Sequence, residues 1–190
     1  TDDFSGNILE KLNVSFELST GVVGRDDLKQ ILQDVDVFWF RLGYKIDDRV
    51  LTKHSRCKYL VTPVTGIDHI DEGLCSKLGV KIICLRGETE FLKEVRATAE
   101  HTILLAMMLM RKASHAFNDV QNEYWRRDLF RGFELYQKKV AIIGLGRLGQ
   151  IVANIFIAFG CDVKYYDINA KNSKLSKLKS LEDSIKWGDL

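Results

Sequence analysis

The feature that most narrows the folds open to this chain is a spacing of glycines. Gly144, Gly146 and Gly149 spell G-x-G-x-x-G within AIIGLGRLGQIVANIFIAFGCDVKYYD, residues 141–167. Lys138 to Ile143 before them is a short apolar run that reads as a buried parallel strand. After them Leu148, Ile151, Val152, Ile155, Phe156 and Phe159 recur at helical spacing, and Gly160 stops that helix. Asp162 to Tyr166 then reads as a second strand ending in Asp167, with seventeen residues between Gly149 and that acid. Each position has a physical reason. Gly144 permits the tight turn out of the strand, Gly146 lets a pyrophosphate approach the backbone, and Gly149 lets the helix pack close to the sheet. The pyrophosphate lies on free N–H groups at the helix N-terminus, where the dipole favours an anion. Asp167 accepts hydrogen bonds from the ribose hydroxyls and repels a 2′-phosphate, so NAD is favoured over NADP. A glycine triplet alone also serves ordinary turns, and FAD proteins share the fingerprint. Another Rossmann enzyme, such as a methyltransferase, therefore stays open on the strand–turn–helix alone.

Residues 7–90 alternate between strand-like and helix-like segments. Val14 to Leu18, Val35 to Leu42, Lys58 to Val64 and Val80 to Leu85 read as strands, and Asp26 to Gln33 and Asp71 to Leu78 as helices, the latter ending at Gly79. This βαβ rhythm predicts a small parallel α/β domain. From Val95 the texture changes. A long apolar helix opens at Ala97 and runs to about Arg111, and a second helical stretch carries Phe117, Tyr124, Trp125, Phe130 and Phe133. The boundary falls near residues 91–97, giving a first domain over 1–94 and a nucleotide domain over 95–190.

Composition excludes several classes. The 190 residues carry a formal charge of +2, and no basic stripe interleaves with aromatics, so nothing argues for nucleic acid. The basic cluster from Lys171 to Lys179 reads as a solvated face. Cysteines at 57, 75, 84 and 161 show no C-x-x-C pair and no zinc-like clustering; they read as buried free thiols suited to a reducing cytoplasm. No segment reads as a signal peptide, and the longest apolar run, Ile103 to Met110, is too short to cross a bilayer.

Four segments together carry a resemblance: VTPVTGIDHID at 61–71, ATAEHT at 97–102, YWRRDLFRGFELYQKKVAIIGLGRLG at 124–149, and the strand ending in Asp167. They resemble the D-isomer-specific 2-hydroxyacid dehydrogenases over most of the chain. GETEFLKEV followed by ATAEHT is similar to the phosphoglycerate or glycerate type. The resemblance implies a flavodoxin-like substrate domain and a Rossmann domain. It also implies hydride transfer between NAD(H) and a 2-hydroxy or 2-oxo acid, and a homodimer formed mainly by the nucleotide domains. It assigns the substrate carboxylate to backbone N–H groups of Val64, Thr65 and Gly66, and the pyrophosphate to the turn at Arg147 and Leu148. Gly66 also suits close approach of an anion, with an ordinary strand-to-helix turn as the alternative. Thr98 reads either as facing the cofactor or as a helix cap.

Other polar residues take plainer readings. His69 beside Asp68 reads as a locally satisfied histidine, Glu100 as an acid favourably placed at a helix start, and Met107, Met108 and Met110 as packing residues. The family's catalytic arginine, glutamate and histidine are expected beyond Leu190, so none is assigned here. Thr1 to Ser5 resembles the segment just after the family's first strand, and about 140 residues are expected beyond Leu190 in a two-domain protein. The isolated chain is therefore expected to carry only the first half of the Rossmann domain. It is expected to be inactive by itself and to need dimerisation or partner segments to cover its apolar face. A non-catalytic NAD-binding module, sensor-like or co-repressor-like, is the alternative on the same fold.

Overall fold

The computed structural model describes residues 6–169 and 173–190. The expectations placed on Thr1 to Ser5, and on Lys171 within the basic cluster, lie outside the described residues. The chain divides into two compact units, Thr1–Thr89 and Glu90–Leu190. Both are α/β with parallel sheets, as the alternation of elements predicts.

The first unit holds α1 (Gly6–Asn13), α2 (Leu28–Asp34), β1 (Val37–Trp39), β2 (Tyr59–Thr62), α3 (Glu72–Leu78) and β3 (Lys81–Cys84). The strands pair in parallel in the order β1-β2-β3, with Phe38 opposite Leu60 and Leu60 opposite Ile82. Leu28 and Leu32 of α2 bury against Phe38, Phe40, Ile46 and Leu60. Helix α3 begins where Asp71 accepts the Leu74 N–H at 2.8 Å, and it ends at Gly79, whose φ of +70° favours glycine. The stretch Val14 to Leu18 is not a strand. The N–H groups of Ser15 and Phe16 both donate to Leu12 O, so this backbone closes the end of α1 instead of pairing with a strand. The strand predicted over 35–42 is shorter, although the Phe40 N–H still reaches Val61 O at 3.0 Å.

All four cysteines are free, but they are not equally covered. Cys57 and Cys75 are buried in the first core, while Cys84 and Cys161 are half-buried. Burial pushes the Cys57 thiol up and the Cys75 thiol up to about 11.

The second unit follows α4 (Thr89–Lys93), which straddles the division. It holds α5 (Ala97–Met110), α6 (Ala113–Gln121), β4 (Lys139–Ile143), α7 (Arg147–Ala158), β5 (Asp162–Tyr166) and α8 (Leu181–Trp187). Strands β4 and β5 pair in parallel, Val140 opposite Val163 and Ile143 opposite Tyr166. Two further backbone segments flank them. Tyr165 N–H donates to Ser176 O at 3.1 Å, and Leu178 N–H donates to Tyr165 O at 2.7 Å, on the outer edge of β5. On the outer edge of β4, Ala141 N–H donates to Leu190 O at 2.9 Å and Asp189 N–H donates to Lys139 O at 2.8 Å. The chain therefore runs outward through β5 and returns by α8 to the far side of β4. Strand order reverses at β4, the place where open α/β sheets bind ligands at the carboxyl ends of their strands.

The aromatic stretch after α6 is not one helix. Helix α6 ends at Gln121, Glu123 adopts a φ of +62°, and only a 3₁₀ turn at Arg127–Phe130 follows. A buried carboxylate directs this path. Asp119, 4% exposed, accepts the Arg126 backbone N–H at 3.1 Å, the Arg126 Nε–H at 2.9 Å and an Nη2 hydrogen bond. The side-chain bond to Arg126 holds the Asp119 carboxyl below the usual carboxylate range. A depressed folded value stabilises the fold above the unfolded value, and that contribution is lost as pH falls through the folded one. The Asp119→Asn variant is thus expected to show a flatter stability profile than the parent below about pH 4, measured by urea unfolding across pH.

Helix α7 crosses β4 very closely. A Cβ built on Gly149 would run into the carbonyl oxygen of Gly144 and lie 3.2 Å from Ile142 Cγ2. Backbone and a β4 side chain would both have to move. Gly149→Ala should therefore destabilise the second unit by about 1–3 kcal/mol, the cost of overpacking a close contact, read in thermal or urea unfolding.

Candidate dinucleotide-binding site

Strand β4 delivers the chain into Gly144, whose φ of +89° is open to glycine at little cost. The Gly144 N–H donates to Tyr166 O at 2.7 Å, which ties the turn to the end of β5. The next residue is tied more firmly. Leu145 N–H donates to Asp167 Oδ2 at 2.8 Å in a buried contact, and Asp167 Oδ1 accepts Asn169 N–H at 2.8 Å. Asp167 is only 8% exposed. One carboxylate at the end of β5 thus fixes both the glycine turn and its own loop. Sequence spacing marked Asp167 as an acid at a strand end, but nothing in the sequence marks it as the acceptor of the Leu145 N–H.

Gly146 is the N-cap of α7, with φ −74° and ψ −166°, and it supplies no side-chain cap. Any residue can adopt those angles, and a Cβ there would meet no heavy atom within 4 Å. The chain itself therefore gives no steric reason for glycine at 146. The space beside it is open, at the end of a twelve-residue helix whose first-turn N–H groups lack intrahelical acceptors. Gly149 is the opposite case, since its cause lies wholly within the fold. Leu148 is half-buried and packs on the second core.

Arg147 is the first residue of α7, and no acid lies in that first turn. A cation at a helix N-terminus opposes the dipole. Its Nη1 donates to Val95 O at 2.6 Å, a contact across 52 positions that the sequence did not signal. Val95 stands three residues before Thr98, so this bond brings the start of α5 beside the start of α7. Thr98 is exposed and is the second residue of α5. It is not the cap, because that position is Arg96, which makes no side-chain cap hydrogen bond. Glu100 does lie in the first turn of α5. Of the three methionines, Met108 and Met110 are half-buried and Met107 is exposed, so Met107 is not a packing residue within this unit.

The loop of Val64, Thr65 and Gly66 belongs to the first unit. Val64 is half-buried and its carbonyl accepts Leu85 N–H at 3.0 Å, while Thr65 and Gly66 are exposed. A Cβ on Gly66 would make only an ordinary contact of 3.5 Å with Asp68 Oδ1, so the fold does not require glycine here either. His69 differs from expectation. Its Nε2 is buried without a hydrogen-bond partner, and so is Thr62 Oγ1. What holds His69 is its backbone and its ring: its carbonyl accepts Ile46 N–H at 2.8 Å, and the imidazole stands edge-on to Phe40 at 5.8 Å. No cluster of residues suited to a metal ion occurs among the described residues.

The chain resembles known proteins in sequence and in fold. Residues 103–190 match the family described as D-isomer specific 2-hydroxyacid dehydrogenase, NAD binding domain. The chain is 28% identical over 169 residues to D-3-phosphoglycerate dehydrogenase of Mycobacterium tuberculosis, covering 87% of this chain and 31% of that protein. It is 30% identical over 160 residues to D-3-phosphoglycerate dehydrogenase of Methanocaldococcus jannaschii, covering 84% of this chain and 29% of that one. The chain thus spans less than a third of these curated relatives. Among solved structures, D-lactate dehydrogenase from Aquifex aeolicus, complexed with NAD and lactic acid, superposes with a TM-score of 0.71 at 25% identity, over 85% of this chain and 48% of that one. Residues 103–190 are thus similar to the NAD-binding domain of the D-isomer specific 2-hydroxyacid dehydrogenases, and curated relatives of the chain carry dehydrogenase names over most of its length.

Proposed function

We propose that the protein to which this chain belongs transfers a hydride between NAD(H) and a small D-2-hydroxy acid or its 2-oxo partner. The observation that carries the reading is Gly146. Its glycine has no cause inside the fold, and the open space it leaves lies at an uncapped helix N-terminus with an arginine as first residue. That combination suits the close approach of a pyrophosphate. Bound NAD supplies the hydride acceptor and donor itself; the residues of this chain bind and orient.

In this reading the domain over 95–190 takes the cofactor. Gly144 shapes the turn, Gly146 and the first N–H groups of α7 receive the pyrophosphate, and Gly149 holds the helix close. Arg147 and Leu148 flank the pyrophosphate, Asp167 receives the ribose hydroxyls and disfavours a 2′-phosphate, and Thr98 borders the cofactor from the start of α5. The domain over 1–94 takes the substrate, whose carboxylate is received by the backbone of Val64, Thr65 and Gly66. Substrates of the phosphoglycerate type are favoured by the names of the curated relatives, and the similarity of residues 87–102 extends the reading to the glycerate type. No general acid–base is assigned among the described residues. The free thiols suit a reducing compartment, and the reading is of a cytoplasmic protein. No helix among the described residues is long and apolar enough to cross a membrane.

The proposed partner is a second copy, docked through the nucleotide domain. Leu104, Leu105, Leu109, Phe117, Trp125 and Phe133 of the second unit are exposed, Leu109 by 74% and Trp125 by 81%. Apolar exposure on this scale along one stretch supports an interface there. Sedimentation is expected to give a dimer for the parent chain, and Leu109→Glu with Trp125→Glu should shift it to monomer while the secondary structure is kept.

Calorimetric titration tests the cofactor site. NAD is expected to bind at least about tenfold more tightly than NADP, a difference of roughly 1.4 kcal/mol. Gly146→Ala should change unfolding stability by less than about 1 kcal/mol, as an N-cap glycine replaced by alanine. The same change should abolish measurable NAD binding. Equal binding by the parent and Gly146→Ala would remove the observation on which the reading rests. Oxidation of NADH by the full-length protein in the presence of small 2-oxo acids tests the reaction itself, and no turnover with any of them would sink the dehydrogenase assignment.

A further inference from the structure

Arg147 is tied in a way that cofactor binding alone does not require. Its Nη1 donates to the Val95 carbonyl at 2.6 Å. Val95 lies in the short break between α4, which ends at Lys93, and α5, which begins at Ala97. This break has little else to fix it. The N-cap of α5 is Arg96, in a helical conformation with φ −107° and ψ −13°, and it makes no side-chain cap hydrogen bond. The Val95 N–H closes a turn onto Leu92 O at 3.1 Å, while its carbonyl points to the guanidinium. Helices α5 and α7 share one core, where Ala99 and Ile103 pack with Val152, Ala153 and Phe156. The bond therefore joins the first residue of one packed helix to the residue before the cap of the other.

A guanidinium carries five N–H donors in a planar fork, and a single backbone carbonyl engages one edge of it. The bond to Val95 leaves the donors of the other edge to offer to an anion. A lysine ammonium is a point charge on a flexible stem and does not present two fixed edges in this way. Electrostatics points the same way. The first turn of α5 carries Glu100, but the first turn of α7 carries no acid against its own N-terminus and the Arg147 guanidinium, so an anion at the start of α7 relieves the repulsion there.

We propose that Arg147 is a two-sided staple: one edge of its guanidinium holds the Val95 carbonyl while the other meets the dinucleotide pyrophosphate. Occupancy of the glycine turn is thereby transmitted to the Glu94–Arg96 break and the first turn of α5. Arg147 is a positioning residue in this role, and the inference rests on the dinucleotide reading above. A residue that only strengthened anion binding would change affinity and leave the break unaffected.

Hydrogen exchange followed on peptides covering residues 92–100, with and without saturating NAD, tests this, with calorimetry on the same samples. In the parent chain NAD should slow exchange at residues 95–100 by roughly tenfold or more. Arg147→Met should weaken NAD binding about ten- to hundredfold, the worth of a hydrogen bond to a charged group. At saturating NAD it should show no slowing over 95–100. Arg147→Lys keeps the charge and guards against misfolding of the first variant; it should recover part of the affinity and little of the slowing. Full slowing in either NAD-saturated variant overturns the proposal, as does an unchanged exchange rate in an NAD-saturated parent chain. Absence of NAD binding by the parent chain in calorimetry overturns the dinucleotide reading itself, and the staple with it.

Discussion

Helix α7 can lie across the end of β4 because position 149 has no side chain, and the geometry of the second unit follows from that contact. A Cβ at 149 would strike the Gly144 carbonyl. With the helix held so close, the turn between strand and helix has only Gly144, Leu145 and Gly146 in which to reverse. Gly144 takes the positive φ, and Leu145 turns its side chain into the core, where it is 2% exposed. Gly146 is left facing open space at the helix start. The two outer glycines of the triplet serve the fold, while no contact within the fold calls for glycine at the middle one. This division turns a motif into a chemical statement.

The charges around the turn are arranged on the same principle. Asp167 is buried yet committed to two backbone N–H groups, one of them inside the turn, so its carboxylate stands at the end of β5 as a fixed acceptor. Arg147 stands where the helix dipole disfavours it and is held there by a carbonyl from the α4–α5 break. An acid that can face hydroxyls and a base that can face an anion lie on either side of one helix N-terminus. The reversal of strand order at β4 places that helix start where the sheet opens.

Much of this was legible in the sequence because its causes are local. The glycine triplet, the apolar spacing of α7, the stop at Gly160 and the short helix before Gly79 are decided within a few residues of themselves, although Asp71, read as the first residue of that helix, is its cap. Features that depend on distant partners were not legible. Val14 to Leu18 alternates like a strand, but its backbone closes a helix end instead. The aromatic stretch after α6 has helical spacing, yet the buried Asp119 captures Arg126 and breaks the helix at a left-handed Glu123. His69 was expected to be satisfied by its neighbours, and its Nε2 instead lies unpaired against Phe40. The bond from Arg147 to Val95 spans 52 positions, which no local pattern could announce.

The claim at the centre of this account is that the N-terminus of α7 receives the pyrophosphate of NAD, with Asp167 on the ribose. Its most direct test is the pattern of backbone amide chemical shifts as NAD is added to the isotope-labelled chain. The account predicts that the largest shifts fall on Gly146, Arg147 and Leu148, with a second group at Asp167 to Asn169. Saturable binding with the largest shifts elsewhere, and none at Gly146 to Leu148, would contradict it.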